Sequence, residues 1–198
     1  LEKFKIESVG RSFEPYAQIK ILNPDGDGIG EIAAKGPMVM KGYYKMPEET
    51  AKMFTEDGWF KTGDLGKIDS EYYVTLCGRA KNMIVTSGGK NVYPEEIEDA
   101  FQLCDDIQQI VVQGYTTKED ETSEEIEALI YPSDSAYEAL GQKREEDFNS
   151  AQINQRIQNE VSKVNKTLQP YARITRITIL ENPLEMTTTK KIKRNYKK

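Results

Sequence analysis

The sequence predicts a mixed α+β or α/β protein built as two units, and three observations carry this. First, short alternating apolar segments are separated by Gly, Pro, Asn and Asp throughout the first third of the chain. Second, beyond Gly78 apolar residues recur at helical spacing between short β-branched runs. Third, with 198 residues and 37% hydrophobic side chains the chain can bury a core in one large or two small domains. The change of character places the junction between Gly78 and Met83.

The segment Ala17-Gln18-Ile19-Lys20-Ile21-Leu22 alternates as a half-buried strand does. Asn23-Pro24-Asp25-Gly26-Asp27-Gly28 turns the chain, and Glu31 to Gly36 resumes it. The glycines at 26, 28 and 30 lack the spacing of a dinucleotide loop, and no helix follows them, so they read as a hairpin turn. Pro47 to Phe54 is a short helix, with proline in its first turn and acids after it. Two further strands join near Asp69-Ser70-Glu71.

In the second unit, Pro94 opens a helix, and Ile97, Ala100, Phe101 and Cys104 fall on one apolar face. Ile110-Val111-Val112 and Ile126 to Tyr131 read as strands. A longer helix is expected from Glu145 to Leu168, with a stripe of Ile153, Ile157, Val161, Val164 and Leu168. Ile174 to Leu180 is the final strand, and Thr187-Thr188-Thr189 begins a polar loop.

Composition narrows the chemistry. The chain has no histidine, which removes His-dependent triads, most zinc sites and the commonest general base. Chemistry must rest on lysine, arginine, carboxylates and backbone amides. The net charge of −6 argues against non-specific binding to nucleic acid, although Lys190 to Lys198 holds six Lys or Arg and no acid. Such a run is most often a solvated tail. Cys77 and Cys104 form no disulfide framework, which fits a reduced, cytoplasmic setting. No apolar run approaches the roughly 20 residues of a membrane span. Leu1-Glu2-Lys3-Phe4-Lys5 is neither a signal peptide nor a start, and reads as a cut within a longer protein.

Four stretches can carry chemistry. In Lys61-Thr62-Gly63-Asp64, a Gly before an Asp at a strand end can present a carboxylate to a vicinal diol, which donates two hydrogen bonds to it. Taken by itself, such an Asp more often caps a turn. Gly78-Arg79-Ala80-Lys81 sets two cations two residues apart, as solvated linkers also do. Ser87-Gly88-Gly89-Lys90 permits close backbone approach, but it lacks the phosphate-loop spacing, since position 84 is Ile and position 91 is Asn. Thr187 to Arg194 places lysines on a polar loop, where an ammonium could neutralise developing charge; the alternative is a flexible tail.

The order and spacing of these stretches are more telling than any one of them. Gly30-Glu31-Ile32, Gly36-Pro37, Gly42-Tyr43-Tyr44, Asp57-Gly58-Trp59-Phe60, Thr62-Gly63-Asp64, Gly78-Arg79-x-Lys81 and Tyr93-Pro94-Glu95-Glu96-Ile97-Glu98 succeed one another, before a Thr-Lys-Lys-Ile-Lys-Arg ending. This resembles the adenylate-forming family of acyl-CoA synthetases, luciferases and peptide-synthetase adenylation domains. The resemblance is dense from Gly30 to Glu98, thin from Phe101 to Leu180, and clear again at the end. Around Ser87 to Glu98 it is closest to bacterial long-chain-fatty-acid–CoA ligases.

The resemblance implies that residues 1–80 are the last, β-rich subdomain of a large N-terminal AMP-binding domain. Residues 81–198 are then the small, mobile C-terminal α/β domain, with a hinge near 79–82. Asp64 matches the aspartate that holds the ribose hydroxyls, and Arg79 a basic residue that reaches ribose or phosphates. Lys81 matches the pivot between half-reactions, where many members have Asp. Lys191 matches the catalytic lysine of adenylation; the glycine usual before it is Lys190 here. Ser87, Gly88 and Gly89 match the loop facing the coenzyme A channel. The implied substrates are a long-chain fatty acid, ATP and coenzyme A, with magnesium held by a glutamate outside this sequence, as is the family's phosphate loop. The alternatives are a ligase that loads an acyl carrier protein and a non-catalytic α/β interaction module. No nucleic-acid partner and no transmembrane segment are expected; the expected location is cytoplasmic or peripheral at a membrane.

Overall fold

The computed structural model describes residues 5–13, 15–116, 124–189 and 191–194. Lys190 and residues 195–198 of the basic tail lie outside the described residues, as do residues 1–4 of the N-terminal segment. The chain divides into two compact units, Leu1–Asn82 and Met83–Lys198, and the architecture is mixed α/β, as the sequence predicts.

The first unit is a five-stranded antiparallel sheet with the order β1-β5-β4-β3-β2. Its strands are β1 (Gly10–Arg11), β2 (Gln18–Leu22), β3 (Gly30–Lys35), β4 (Phe60–Ile68) and β5 (Tyr73–Arg79). Strands β2 and β3 form the expected hairpin, running from Gln18 opposite Lys35 to Leu22 opposite Glu31. Its turn is closed by Asp25, whose carboxylate accepts the N–H groups of Asp27 and Ile29 at 3.0 Å each. Asp69 does the same between β4 and β5, accepting from Glu71 and Tyr73 at 2.8 and 2.9 Å. Helix α1 (Pro47–Lys52) starts on its proline and carries Glu48 and Glu49 where the positive end of the helix dipole favours them. Ile32, Ala33, Leu65, Tyr73, Val74 and Cys77 are buried here.

The second unit begins with a small hairpin, β6 (Ile84–Val85) and β7 (Asn91–Val92), which leads into α2 (Pro94–Asp99). Strands β8 (Ile107–Tyr115) and β9 (Glu125–Pro132) pair antiparallel. β10 (Arg176–Ile179) then pairs parallel with β9. A parallel pair needs a long crossover, and α3 (Asp134–Glu138), α4 (Arg144–Asp147) and α5 (Ala151–Asn165) supply it. Ile126, Ala128 and Ile130 alternate along β9 and are buried in one core with Ile153, Ile157 and Val161 of α5. Val164 and Leu168 pack against that core, as their place in the stripe predicts.

Three expectations are corrected. The helix predicted from Glu145 to Leu168 is two helices, broken at Phe148 to Ser150. Ser150 caps α5 by accepting from the Ile153 N–H at 3.3 Å, and the Tyr137 hydroxyl donates to the Phe148 carbonyl at 2.9 Å. Both bonds satisfy groups that a continuous helix would have paired internally. α2 ends at Asp99, so the stripe loses register at Ala100, which is exposed, while Ile97 and Phe101 are 2% and 3% exposed. Helix α3 stands where no element was expected; Ser133 caps it, accepting from the Ala136 N–H. Among the described residues no helix is long and apolar enough to cross a membrane.

Ile157 is fully buried where α5 meets the sheet. Ile157→Ala is expected to lower the unfolding free energy by about 2–5 kcal/mol, and Ala100→Ser by less than about 0.5 kcal/mol. Denaturant titration of the two variants checks both.

Candidate functional site

The residues singled out by sequence fall in both units, and each unit has its own geometry. In the first, Thr62-Gly63-Asp64 is not at a strand end. It lies inside β4, and the structural reason is an irregularity in the ladder. Glu31 of β3 faces Leu65 of β4 and Ala33 faces Lys61, so Thr62 to Asp64 together oppose Ile32 alone. The excess is a bulge, a device found beside active sites because it re-aims a side chain.

Three bonds pin the bulge. The Thr62 hydroxyl donates to the Ile32 carbonyl at 2.8 Å and accepts from the Asp64 N–H at 3.1 Å. The Gly63 N–H donates to Glu31 Oε1 at 3.1 Å. Gly63 has φ +73°, a left-handed conformation in which a side chain is strained. Asp64 faces Arg79 across the β4–β5 ladder. The Arg79 Nε lies 2.8 Å from Asp64 Oδ1, with the side chains 49% and 34% exposed respectively. Arg79 Nη1 also donates to the Thr62 carbonyl at 3.3 Å. The result is a half-exposed carboxylate with a guanidinium at its shoulder, a pair suited to accept from neutral hydroxyls and to meet an anion. Lys81 is exposed on the single 3₁₀ turn Ala80–Asn82 that follows β5.

In the second unit, Ser87, Gly88 and Gly89 form the exposed tip of the β6–β7 hairpin. The Thr86 N–H donates to the Lys90 carbonyl at 3.0 Å and the Gly89 N–H to the Thr86 carbonyl at 2.8 Å. Gly89, at φ +66°, permits that turn. Lys191 is exposed, and its ammonium has no hydrogen-bond or ion-pair partner among the described residues. Its backbone is held in a tight hairpin instead. Met186 bridges Ile192, the Thr187 N–H donates to the Lys191 carbonyl at 2.7 Å, and the Lys191 N–H donates to the Thr187 hydroxyl at 3.1 Å.

Glu31, Glu98 and Arg194 stand in the motifs quoted above, but the sequence assigns them no role. Arg194 is 17% exposed and places Nη2 at 2.6 Å from both carboxylate oxygens of Glu98. Its Nη1 donates to the Val112 carbonyl at 2.9 Å, and Glu98 accepts from the Val112 N–H at 2.7 Å. Burial pushes Glu98 up to about 7, against the pull of Arg194 and the Val112 N–H, and Glu95 adds to the rise. The sequence signal was a single arginine in a lysine-rich ending, where a fork rather than a point charge is used. Among the described residues no group of three or more His, Cys, Asp or Glu could hold a metal ion. Both cysteines are free thiols.

Residues 81–197 match the family described as AMP-binding enzyme C-terminal domain. The chain belongs to this family. Long-chain-fatty-acid–CoA ligase ACSBG1 of Mus musculus is 38% identical over 100 residues, covering 50% of this chain and 14% of that protein. The mitochondrial medium-chain acyl-CoA ligase ACSF2 of Bos taurus is 36% identical over 132 residues, 64% of this chain and 21% of that protein. In three dimensions the chain is similar to the O-succinylbenzoate coenzyme A synthetase MenE of Bacillus subtilis, solved in complex with ATP and magnesium. That comparison has a TM-score of 0.70 and 25% identity, and covers 95% of this chain and 35% of MenE. The chain therefore spans about a seventh to a third of the length of these proteins.

Two outcomes are expected. A Cβ on Gly63 would meet only Arg79 Nη1, at 3.8 Å, so Gly63→Ala has room and costs about 1 kcal/mol through its backbone conformation; thermal unfolding measures it. The folded chain holds a proton on Glu98 where the unfolded chain, with its carboxylate near 4.5, has released it. Stability is thus expected to fall as the pH rises through about 5 to 7, and Glu98→Gln should flatten that part of a pH-resolved unfolding profile.

Proposed function

We propose that this chain is the C-terminal part of an ATP-dependent, AMP-forming ligase that activates a long-chain fatty acid and passes it to coenzyme A. In the first half-reaction a fatty-acid carboxylate oxygen attacks the α-phosphorus of ATP; the bond to the bridging oxygen breaks and pyrophosphate leaves. In the second, the thiolate of coenzyme A attacks the acyl carbon of the acyl-adenylate and AMP leaves.

The observation that carries this reading is the pinned bulge that lifts Asp64 beside Arg79 in a chain of the AMP-binding family. Asp64 accepts from the two ribose hydroxyls, and Arg79 orients that carboxylate and reaches toward ribose or phosphate. Lys191 supplies a point charge between the attacking carboxylate and the α-phosphate. An exposed ammonium on a pinned hairpin suits that role, because no ion pair to another described residue has to break. Lys81 is the pivot near 79–82, between a β-rich subdomain at 1–80 and a small mobile domain at 81–198, and Ser87 to Gly89 face the coenzyme A channel. Magnesium would be held outside this chain. Likeness to ACSBG1 supports a long-chain acid, and the likeness to medium-chain and succinylbenzoate ligases makes acid length the property to measure. The working location is cytoplasmic or peripheral at a membrane.

The 198-residue chain alone is expected to show no ATP–pyrophosphate exchange; measurable exchange would mean the rest of the ligase is dispensable. In the complete ligase, Lys191→Ala should lower the adenylation rate by about a thousandfold and leave thiolation of a supplied acyl-adenylate within about twofold. Equal loss of both half-reactions in rapid-quench assays would remove the assigned role. A panel of acids of graded chain length, with coenzyme A and acyl carrier protein as competing acceptors, then fixes the substrate.

A further inference from the structure

The segment from Leu184 to Arg194 is fastened at both ends to the same strand. At the entry, the Leu184 N–H donates to Gln109 Oε1 on β8 at 2.7 Å. At the exit, Arg194 grips the Val112 carbonyl, also on β8, and the Glu98 carboxylate on α2. Between the two, the Lys193 N–H donates to the Glu185 carbonyl at 2.7 Å, and the Met186–Ile192 bridge and the Thr187–Lys191 bonds close the hairpin. Those inner bonds lie on an exposed turn, where water competes for every donor and acceptor. A hairpin of this size has little stability of its own. The grip at Arg194 differs, since it is mostly buried and reaches two separate elements: Nη2 meets both Glu98 oxygens and Nη1 the Val112 carbonyl, the Glu98 contact being charge-assisted once that carboxyl is ionised. It lies three residues from Lys191, within roughly 11 Å of chain.

We propose that Arg194 is the positioning residue for Lys191: its mostly buried grip on Glu98 and Val112 holds the paired Met186–Thr187 and Lys191–Ile192 backbone in place, so that the lysine is presented from a preformed segment. The proposal rests on the catalytic role of Lys191 given above. Holding the backbone in advance removes an ordering cost from the reaction, while the free side chain keeps its reach. Glu98 serves as the socket. It is itself fixed by the Val112 N–H, so that the same residue of β8 holds Glu98 through its N–H and Arg194 through its carbonyl.

The test has two arms. In the first, amide exchange is followed residue by residue in the 198-residue chain and in Arg194→Met. The Thr187, Lys191 and Lys193 amides are expected to exchange at least about tenfold faster in the variant, while those of Ala128 and Ile130 in β9 stay as they were. Should Arg194→Met unfold because Glu98 is left without its cation, Glu98→Gln/Arg194→Met removes both charges and carries the same expectation. Arg194→Lys should restore protection only in part, because an ammonium cannot reproduce the fork. In the second arm, Arg194→Met or the double variant in the complete ligase should lose about tenfold or more in the adenylation rate, with the ATP KM within about twofold and thiolation spared. Unchanged hairpin exchange overturns the grip, whatever happens to activity. A loosened hairpin with normal adenylation, where Lys191→Ala abolishes it, overturns the positioning role alone. Normal adenylation in Lys191→Ala overturns the reading of the lysine itself.

Discussion

One guanidinium anchors the end of this chain. Arg194 sets Nη2 against both oxygens of Glu98 and Nη1 on the Val112 carbonyl of β8, and the hairpin bearing Lys191 hangs from that point. The arrangement follows from composition. A protein without histidine has no side chain that ordinarily gains or loses charge near neutral pH, so fixed charges must be put in place by the backbone that carries them. Glu98 shows what such placing demands. Burial favours its neutral form, and it remains a useful socket because Arg194 and an N–H both address it.

The same solution appears in the first unit with different parts. There the carrier is a strand, and the device is an excess of residues in β4 against β3. Thr62, Glu31 and the left-handed Gly63 hold the displaced backbone, and Arg79 steadies the carboxylate that the displacement exposes. Each site presents one charged group from a short segment tied to a sheet. The two segments share a logic: main-chain bonds fix direction, and a neighbouring guanidinium fixes orientation. Their neighbours differ in consequence, because the Asp64–Arg79 pair is half exposed and the Glu98–Arg194 pair is mostly buried.

Much of the fold was legible from periodicity. Alternation located β2 and its continuation β3, and the 3.6-residue stripe located the buried face of α5, because both patterns are direct consequences of where Cβ atoms point. What periodicity missed has physical causes. The stripe from Glu145 to Leu168 passes over the break at Phe148 to Ser150, since apolar spacing does not register a serine cap or a tyrosine hydroxyl taking a carbonyl. Ala100 fits the stripe of α2 but lies past its end. The candidate residues Asp64, Arg79, Lys81, Lys191 and the Ser87 to Gly89 tip were visible as motifs; their supports were not. Glu31 acts on Gly63 from 32 residues away, and Glu98 meets Arg194 across 96. Pairings at that range depend on strand register, which a local pattern does not encode.

The central claim is that the hairpin is built beforehand and the lysine alone reaches. A crystal structure of the complete ligase with a stable acyl-adenylate analogue tests it most directly. The account predicts Lys191 Nζ within about 3 Å of an oxygen on the α-phosphate or acyl carboxylate, with the backbone of residues 187–189 and 191–194 superposing on its present shape within about 1 Å and Arg194 still seated on Glu98. A refolded hairpin, or another cation at the α-phosphate with Lys191 facing solvent, would contradict it.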